Sequence, residues 1–150
     1  EEKRQLNSSG LERSKLAGRG LKNLLVKPDA ILCSPHERTV QSAAIAASEL
    51  GLPTLSVGKT EALLPGAHPG ALLEQLKSID LKRVLCVGHS PQLDQFVSLV
   101  CQSDASMPIC SLTYSGAISL EVDLEEPEGY INWLLTAEIL SRLATEQSES

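Results

Sequence analysis

The sequence passes twice from a short apolar segment into a Ser-Pro pair and then into an amphipathic segment with helical spacing. The first junction lies in residues 32–38 (LCSPHER), and the second lies in residues 86–91 (CVGHSP). Serine is a preferred helix N-cap, and proline fits the first helical position because the N–H that it lacks would have no partner there. Each junction therefore predicts a strand, a sharp turn and a helix, and the repetition predicts an α/β fold.

Each junction also carries a side chain that can bind an anion. Arg38 follows Ser34 at the first junction, and His89 directly precedes Ser90 at the second. The carboxyl ends of parallel strands lie along one edge of a sheet, where helix N-termini point and where anions bind. We therefore expect Arg38, His89 and Ser90 to form a site for phosphate or sulfate at this edge.

The spacing of apolar residues predicts the remaining elements. A capping pattern at residues 9–12 predicts the start of a first helix that ends before Pro28, and Gly51 is expected to end the helix after the first junction. The predicted strands are 30–33, 83–87, 117–122 and 130–135, and the other predicted helices are 35–50, 69–79, 91–101 and 137–144. Residues 1–150 are expected to form one domain, with residues 145–150 as a polar tail.

Composition excludes several classes of function. The net charge of −6 does not provide the basic surface that nucleic-acid binding requires. No apolar run approaches the roughly 20 residues of a membrane span, and the first residues, EEKR, do not form a signal peptide. The four cysteines have no C-x-x-C spacing, which predicts reduced thiols in a cytoplasmic protein. We expect no nucleic-acid partner, no membrane partner, no metal and no cofactor.

Several segments, in the same order along the chain, resemble the motifs of the histidine phosphatase superfamily. Residues 34–43 (SPHERTVQSA) are similar to its S-P-x-x-R-x-x-Q-T-A signature, and residues 88–91 (GHSP) to its second histidine motif. Residues 4–10 (RQLNSSG) resemble R-x-L-T-x-x-G, and residues 64–66 and 115–118 also match. The short stretch between residues 51 and 83 lacks the long insertions of phosphoglycerate mutases, so the chain looks most like the small SixA-type phosphohistidine phosphatases.

This resemblance implies a fold and an activity. The fold is a phosphoglycerate mutase-like, three-layer α/β/α sandwich with a mostly parallel central sheet. The implied activity is hydrolysis of phosphohistidine on a partner protein, without a cofactor, through a phosphohistidine enzyme intermediate. In the family mechanism the histidine of an R-H-G motif attacks phosphorus, while Arg38, His89 and the R-H-G arginine hold the phosphoryl oxygens. Arg38 and His89 are thus the implied catalytic residues.

The chain departs from the family pattern in one respect. The R-H-G motif ends the first strand of the family's sheet, ahead of the segment that residues 4–10 resemble, and none of His36, His68 and His89 lies in such a motif. We therefore expect that the chain is an N-terminally shortened form, that its sheet is interrupted beside residues 30–33 or 83–87, and that the chain alone is inactive.

Other residues and functions stay open at this point. His36 and Glu61 are expected at the rim of the site, although Glu61 could serve as a general acid. Ser34 and Ser90 are better explained as helix caps than as nucleophiles, because neither lies in a G-x-S-x-G turn. The alternatives to a phosphohistidine phosphatase are a phosphatase for a small phosphoester, and a catalytically inactive phosphate-binding or interaction module.

Overall fold

The computed structural model describes residues 2–146. The helices are α1 (Ser8–Asn23), α2 (Glu37–Leu50), α3 (Pro69–Lys77), α4 (Gln92–Gln102) and α5 (Ala137–Glu146). The strands are β1 (Ala30–Cys33), β2 (Val57–Lys59), β3 (Val84–Val87), β4 (Ala117–Asp123) and β5 (Glu128–Leu135). Two short 3₁₀ helices, Thr54–Ser56 and Glu61–Leu63, flank β2 and its outgoing turn.

The first three strands form a parallel sheet in the order β2-β1-β3. Ile31 of β1 is in register with Val57 of β2 and with Leu85 of β3. The side chains of β1 alternate between two helical layers, as is typical of parallel strands that are covered on both faces. All three strands run in the same direction, so their carboxyl ends meet at one edge.

Helices cover both faces of this sheet. On one face, Ile31 and Cys33 pack with small side chains of α2, including Ala43 and Ala47. On the other face, Leu32 packs with residues of α3 and α4, including Phe96. The expected three-layer α/β/α sandwich with a mainly parallel central sheet is thus confirmed.

The remaining two strands form a separate antiparallel pair, β4-β5. Within residues 2–146, β3 pairs only with β1 and β4 pairs only with β5. Helix α4 nevertheless spans both sheets, because Val100 packs in one cluster with Leu32 of β1 and Leu120 of β4. The helical layer is therefore continuous where the sheet is not. That a strand is missing from the sheet beside residues 30–33 or 83–87, and that an upstream segment supplies it, stays a prediction.

The opposite helical layer is also continuous. Helix α1 packs between α2 and α5, and Gly20 allows a close approach of α1 to α5. An added Cβ at Gly20 would lie 2.4 Å from the carbonyl oxygen of Leu140, which is itself fully buried. Glycine is therefore required at this position by space rather than by backbone conformation.

Several helix starts differ from the sequence predictions. Helix α1 is capped by Asn7, whose Oδ1 accepts a hydrogen bond from Gly10 N, and not by Ser9. The N-caps of α2 and α4 are His36 and Pro91, so the predictions that Ser34 and Ser90 cap these helices are wrong. The reason is that both hydroxyls have other partners, which are described below.

The helix ends agree better with the predictions. Gly51 ends α2 in the left-handed conformation, with φ of 73°, as predicted. At the C-terminus, α5 continues to Glu146, so the predicted polar tail 145–150 begins inside a helix, and residues 147–150 lie outside the described residues. In the described part of the chain, no helix has both the length and the apolar character to cross a bilayer.

Candidate functional site

Ser34 lies at the centre of a polar network at the carboxyl edge of the parallel sheet. It directly follows β1, is fully buried, and its N–H donates to the carbonyl oxygen of Val87 at the end of β3. Its Oγ lies 2.6 Å from Thr39 Oγ1 in the first turn of α2 and 2.8 Å from His89 Nε2. Ser34 therefore joins the two junctions that the sequence singles out.

The number of available protons sets the direction of these hydrogen bonds. The single hydroxyl proton of Thr39 is directed to the carbonyl oxygens of His36 and Ser34, which lie 2.8 and 2.9 Å away and can only accept. The contact between Ser34 Oγ and Thr39 Oγ1 therefore requires the proton of Ser34. The proton between His89 and Ser34 must then come from His89 Nε2, so the neutral imidazole carries its proton on Nε2 and leaves Nδ1 as an acceptor.

His89 is half-buried and lies two residues after β3. Its pKa is lowered from 6.5 to about 4, first by burial and then by the positive charges of Arg38 and His36. Burial disfavours the charged imidazole because it removes the hydration of that charge. At neutral pH the His89 imidazole is therefore uncharged, and it lies in a positive field that favours a bound anion.

Arg38 is the second residue of α2 and is half-buried. Its charge is close enough to His89 to lower the pKa of that imidazole. The positive end of the α2 dipole lies at the same place, because the first N–H groups of a helix point out from its N-terminus. The structure thus brings Arg38 and His89 together at the predicted edge, and their role in binding phosphate stays a prediction.

His36 does not lie at the rim, and the prediction of an exposed rim position is wrong. Its exposed fraction is only 8%, and its ring centroid is 5.0 Å from that of His89, in an edge-to-face arrangement at 67°. The backbone explains this placement, because His36 N donates to Ser34 Oγ and its carbonyl oxygen accepts from Thr39. The N-cap position of α2 therefore fixes the backbone of His36 beside Ser34 and Thr39.

The two other predicted site residues lie at its exterior. Ser90 is exposed, and its hydroxyl donates to the carbonyl oxygen of Leu112 in the loop before β4. Glu61 is exposed at the start of the 3₁₀ helix that follows β2. That segment is held at the same edge of the sheet by the hydrogen bond from Thr60 N to the carbonyl oxygen of Cys33. Phosphate contact by Ser90 and a rim position for Glu61 stay predictions.

Sequence reasoning missed the hydroxyl pair of Ser34 and Thr39. A signal was present, since both hydroxyls lie in the motif at residues 34–43, but Ser34 is explained there as a helix cap and Thr39 is given no role. In the part of the chain that the structure describes, no group of three or more His, Cys, Asp or Glu residues is arranged to hold a metal ion. The four cysteines are free thiols, and burial raises the pKa of Cys86 to about 12.

Comparison with known proteins agrees with the fold. The sequence model of the histidine phosphatase superfamily (branch 1) matches residues 3–63. The search of curated proteins found no match to this sequence. Among solved structures, the protein histidine phosphatase SixA complexed with tungstate superposes with a TM-score of 0.82 and 25% identity, over 93% of this chain and 88% of that one.

Two further SixA structures are similar in fold. SixA from Agrobacterium tumefaciens superposes with a TM-score of 0.72 and 19% identity, over 90% of this chain and 84% of that one. SixA from Nakamurella multipartitia superposes with a TM-score of 0.69 and 21% identity, over 89% and 84%. The family match and the structural similarity along nearly the whole chain lead to one conclusion: residues 3–63 are similar to the histidine phosphatase superfamily (branch 1), and the chain has a SixA-like fold.

Proposed function

We propose that this chain supplies the phosphate-holding part of a phosphohistidine phosphatase that acts on partner proteins. The similarity of residues 3–63 to the histidine phosphatase superfamily supports a phosphatase, and the SixA that superposes best among the three structures above was solved with tungstate, a tetrahedral oxyanion like phosphate. The observation that carries the proposal is the convergence of Arg38, His89 and Ser34 at the carboxyl edge of the sheet.

The residues present can stabilise the charge of a transferring phosphoryl group. A guanidinium such as that of Arg38 can hold two phosphoryl oxygens at once. Nδ1 of His89, an acceptor while the imidazole is neutral, becomes a donor when an anion raises the pKa of the imidazole and a proton is taken up. Ser34 and Thr39 keep Nε2 of that ring engaged, so the ring orientation is set before the anion arrives.

The nucleophile of the proposed reaction is the histidine of an Arg-His-Gly strand, a motif that residues 1–150 do not contain. The phosphoryl group would move from the substrate imidazole to that histidine, and water would then release it as phosphate. Arg38 and His89 would hold the phosphoryl oxygens in both steps. The 150-residue chain alone is therefore expected to bind anions without turnover.

The open surroundings of the site support a substrate carried on a protein. His89 is only half-buried, and both Ser90 and Glu61 are exposed. The connection between β2 and α3 contains only a 3₁₀ turn and a short loop, so no long segment covers the site from that side. A side chain that projects from a protein surface can enter such a site, whereas small ligands are usually bound in enclosed pockets.

Phosphate release by two chains tests the proposal. One is the 150-residue chain, and the other is the same chain extended at its N-terminus by an apolar strand that ends in Arg-His-Gly. We expect the extended chain to release phosphate from a phosphohistidine protein faster than from p-nitrophenyl phosphate, and the unextended chain to release none. The reverse preference would favour a small phosphoester as substrate.

Arg38→Ala in the extended chain is expected to lower the rate by about 10²–10³-fold, because it removes one charge-assisted contact to the transferring group. Arg142→Ala is the matched control, since Arg142 is exposed on α5 and pairs with Glu138. Turnover by the unextended chain, or a rate for Arg38→Ala within a few-fold of the parent, would contradict the proposed roles.

A further inference from the structure

Two histidines occupy the same position of two different helices, and only one of them caps its helix. His36 is the N-cap of α2 with φ −62° and ψ 137°, and His68 is the N-cap of α3 with φ −64° and ψ 131°. His68 Nδ1 accepts a hydrogen bond from Gly70 N at 3.0 Å. The side chain of His36 makes no capping hydrogen bond, although its backbone conformation is nearly the same.

The Nδ1 atom of His36 is instead buried without a hydrogen-bond partner among the described residues. A buried polar atom without a partner is costly, and most such atoms in folded proteins are paired with protein, water or a ligand. A capping orientation would give the His36 ring a backbone N–H as partner without any change in backbone geometry, as it does for His68. The ring does not take that orientation, so we expect its nitrogen to have a different hydrogen-bond partner.

The surroundings of His36 indicate the chemistry of that partner. The ring lies edge-to-face against His89, with 5.0 Å between centroids. The positive charge of Arg38 also acts on His89, whose pKa it lowers. The backbone of His36 is also fixed, because its N–H donates to Ser34 Oγ and its carbonyl accepts from Val40 N. An oxyanion in contact with His89 would therefore lie within hydrogen-bonding reach of a ring that is already held in place.

We infer that His36 is an additional ligand of the oxyanion, and that its imidazole donates a hydrogen bond to the phosphoryl group that Arg38 and His89 hold. This inference rests on the proposed function and deepens it, because it adds a third side chain of this chain to the binding site. The bound oxyanion then supplies the hydrogen-bond partner that the His36 imidazole lacks among the described residues.

Titration of the 150-residue chain with sodium tungstate by calorimetry tests this inference. We expect His36→Phe, which keeps an aromatic ring beside His89, to weaken tungstate binding about ten-fold or more, because a hydrogen bond to a charged group is lost. His68→Phe is the matched control, since it removes an N-cap histidine from α3 and is expected to change the affinity less than two-fold. Arg38→Ala in the same series tests the proposed site itself.

NMR of the imidazole nitrogens in the unmodified chain provides a second measurement that does not depend on a variant's folding. Tungstate is expected to shift the nitrogen signals of His36 towards those of a hydrogen-bonded donor and to leave those of His68 unchanged. The inference about His36 is overturned if His36→Phe does not weaken tungstate binding and the His36 nitrogen signals do not shift. The proposed site still stands in that case if Arg38→Ala weakens binding. If Arg38→Ala leaves tungstate binding unchanged, the proposed site is wrong.

Discussion

Removal of the Ser34 hydroxyl tests the polar network at the carboxyl edge most directly. In Ser34→Ala the Nε2–H of His89 loses its acceptor at 2.8 Å, and the N–H of His36 loses a longer contact at 3.4 Å. Thr39 keeps its own proton on the two carbonyl oxygens, so its hydroxyl is not left as an unpaired donor. The expected loss therefore comes mainly from the imidazole.

A buried donor that loses its partner costs about 1–3 kcal/mol, and His89 is only half-buried, so water can replace part of the loss. We expect Ser34→Ala to lower the free energy of unfolding by about 2 kcal/mol, which corresponds to roughly 4–8 °C in Tm for a domain of this size. Urea unfolding at pH 7 measures the change, and the midpoint and slope separate a loss of stability from a change in compactness.

Ser98 offers a matched control for this experiment. It is also fully buried, but its Oγ has no hydrogen-bond partner among the described residues. Ser98→Ala is expected to be neutral or stabilising, because it removes a buried hydroxyl that has no partner. If Ser34→Ala is no more destabilising than Ser98→Ala, the network does not hold His89, and the proton assignment above is refuted.

Three further predictions concern His89, the α1–α5 contact and the thiols. The pKa of His89 is about 4 when folded and 6.5 when unfolded, so the unfolded chain binds more protons between these two pH values. The free energy of unfolding should therefore fall as the pH drops from about 6.5 to 4. Urea unfolding at several pH values measures this fall, which His89→Gln should make shallower. Gly20→Ala should destabilise by at least about 1 kcal/mol in the same assay, because its Cβ would meet the Leu140 carbonyl oxygen at 2.4 Å; a stability equal to the parent would contradict this packing. Native Cys86, whose pKa is raised to about 12, should react with a thiol reagent more slowly than Cys101, and equal rates by mass spectrometry would show that Cys86 is accessible.

Much of the fold could be predicted because it is encoded in local patterns. The apolar run at 30–33 is a strand with the predicted bounds, and helices α2 and α4 follow the two junctions within two residues of the predicted starts. The convergence of Arg38 and His89 also follows from a general rule, because side chains after parallel strands share one edge of the sheet. This reasoning requires no knowledge of side-chain packing.

Strand β2 could not be predicted in this way. It has only three residues, Val57–Lys59, in a segment that contains no clear alternation, and the sequence predicts only that residues 55–64 are extended or irregular. It is a strand because β1 pairs with it along its length, from Ile31 with Val57 to Cys33 with Lys59. A short edge strand of this kind is stabilised by its neighbour rather than by its own propensity.

The fate of Ser34 shows the same difference at the site. A serine before a proline and a helix is best explained locally as a cap, yet its hydroxyl contacts His89, which is 55 residues away in the sequence. His36 likewise turns from capping towards His89, whereas His68 in the same local setting caps its helix. The sequence by itself determined the α/β architecture, the edge of the sheet and the residues that reach it, since backbone periodicity and strand direction are local properties. Only the tertiary structure decided which partner each polar side chain takes, because that choice depends on groups that the fold brings together from distant parts of the chain.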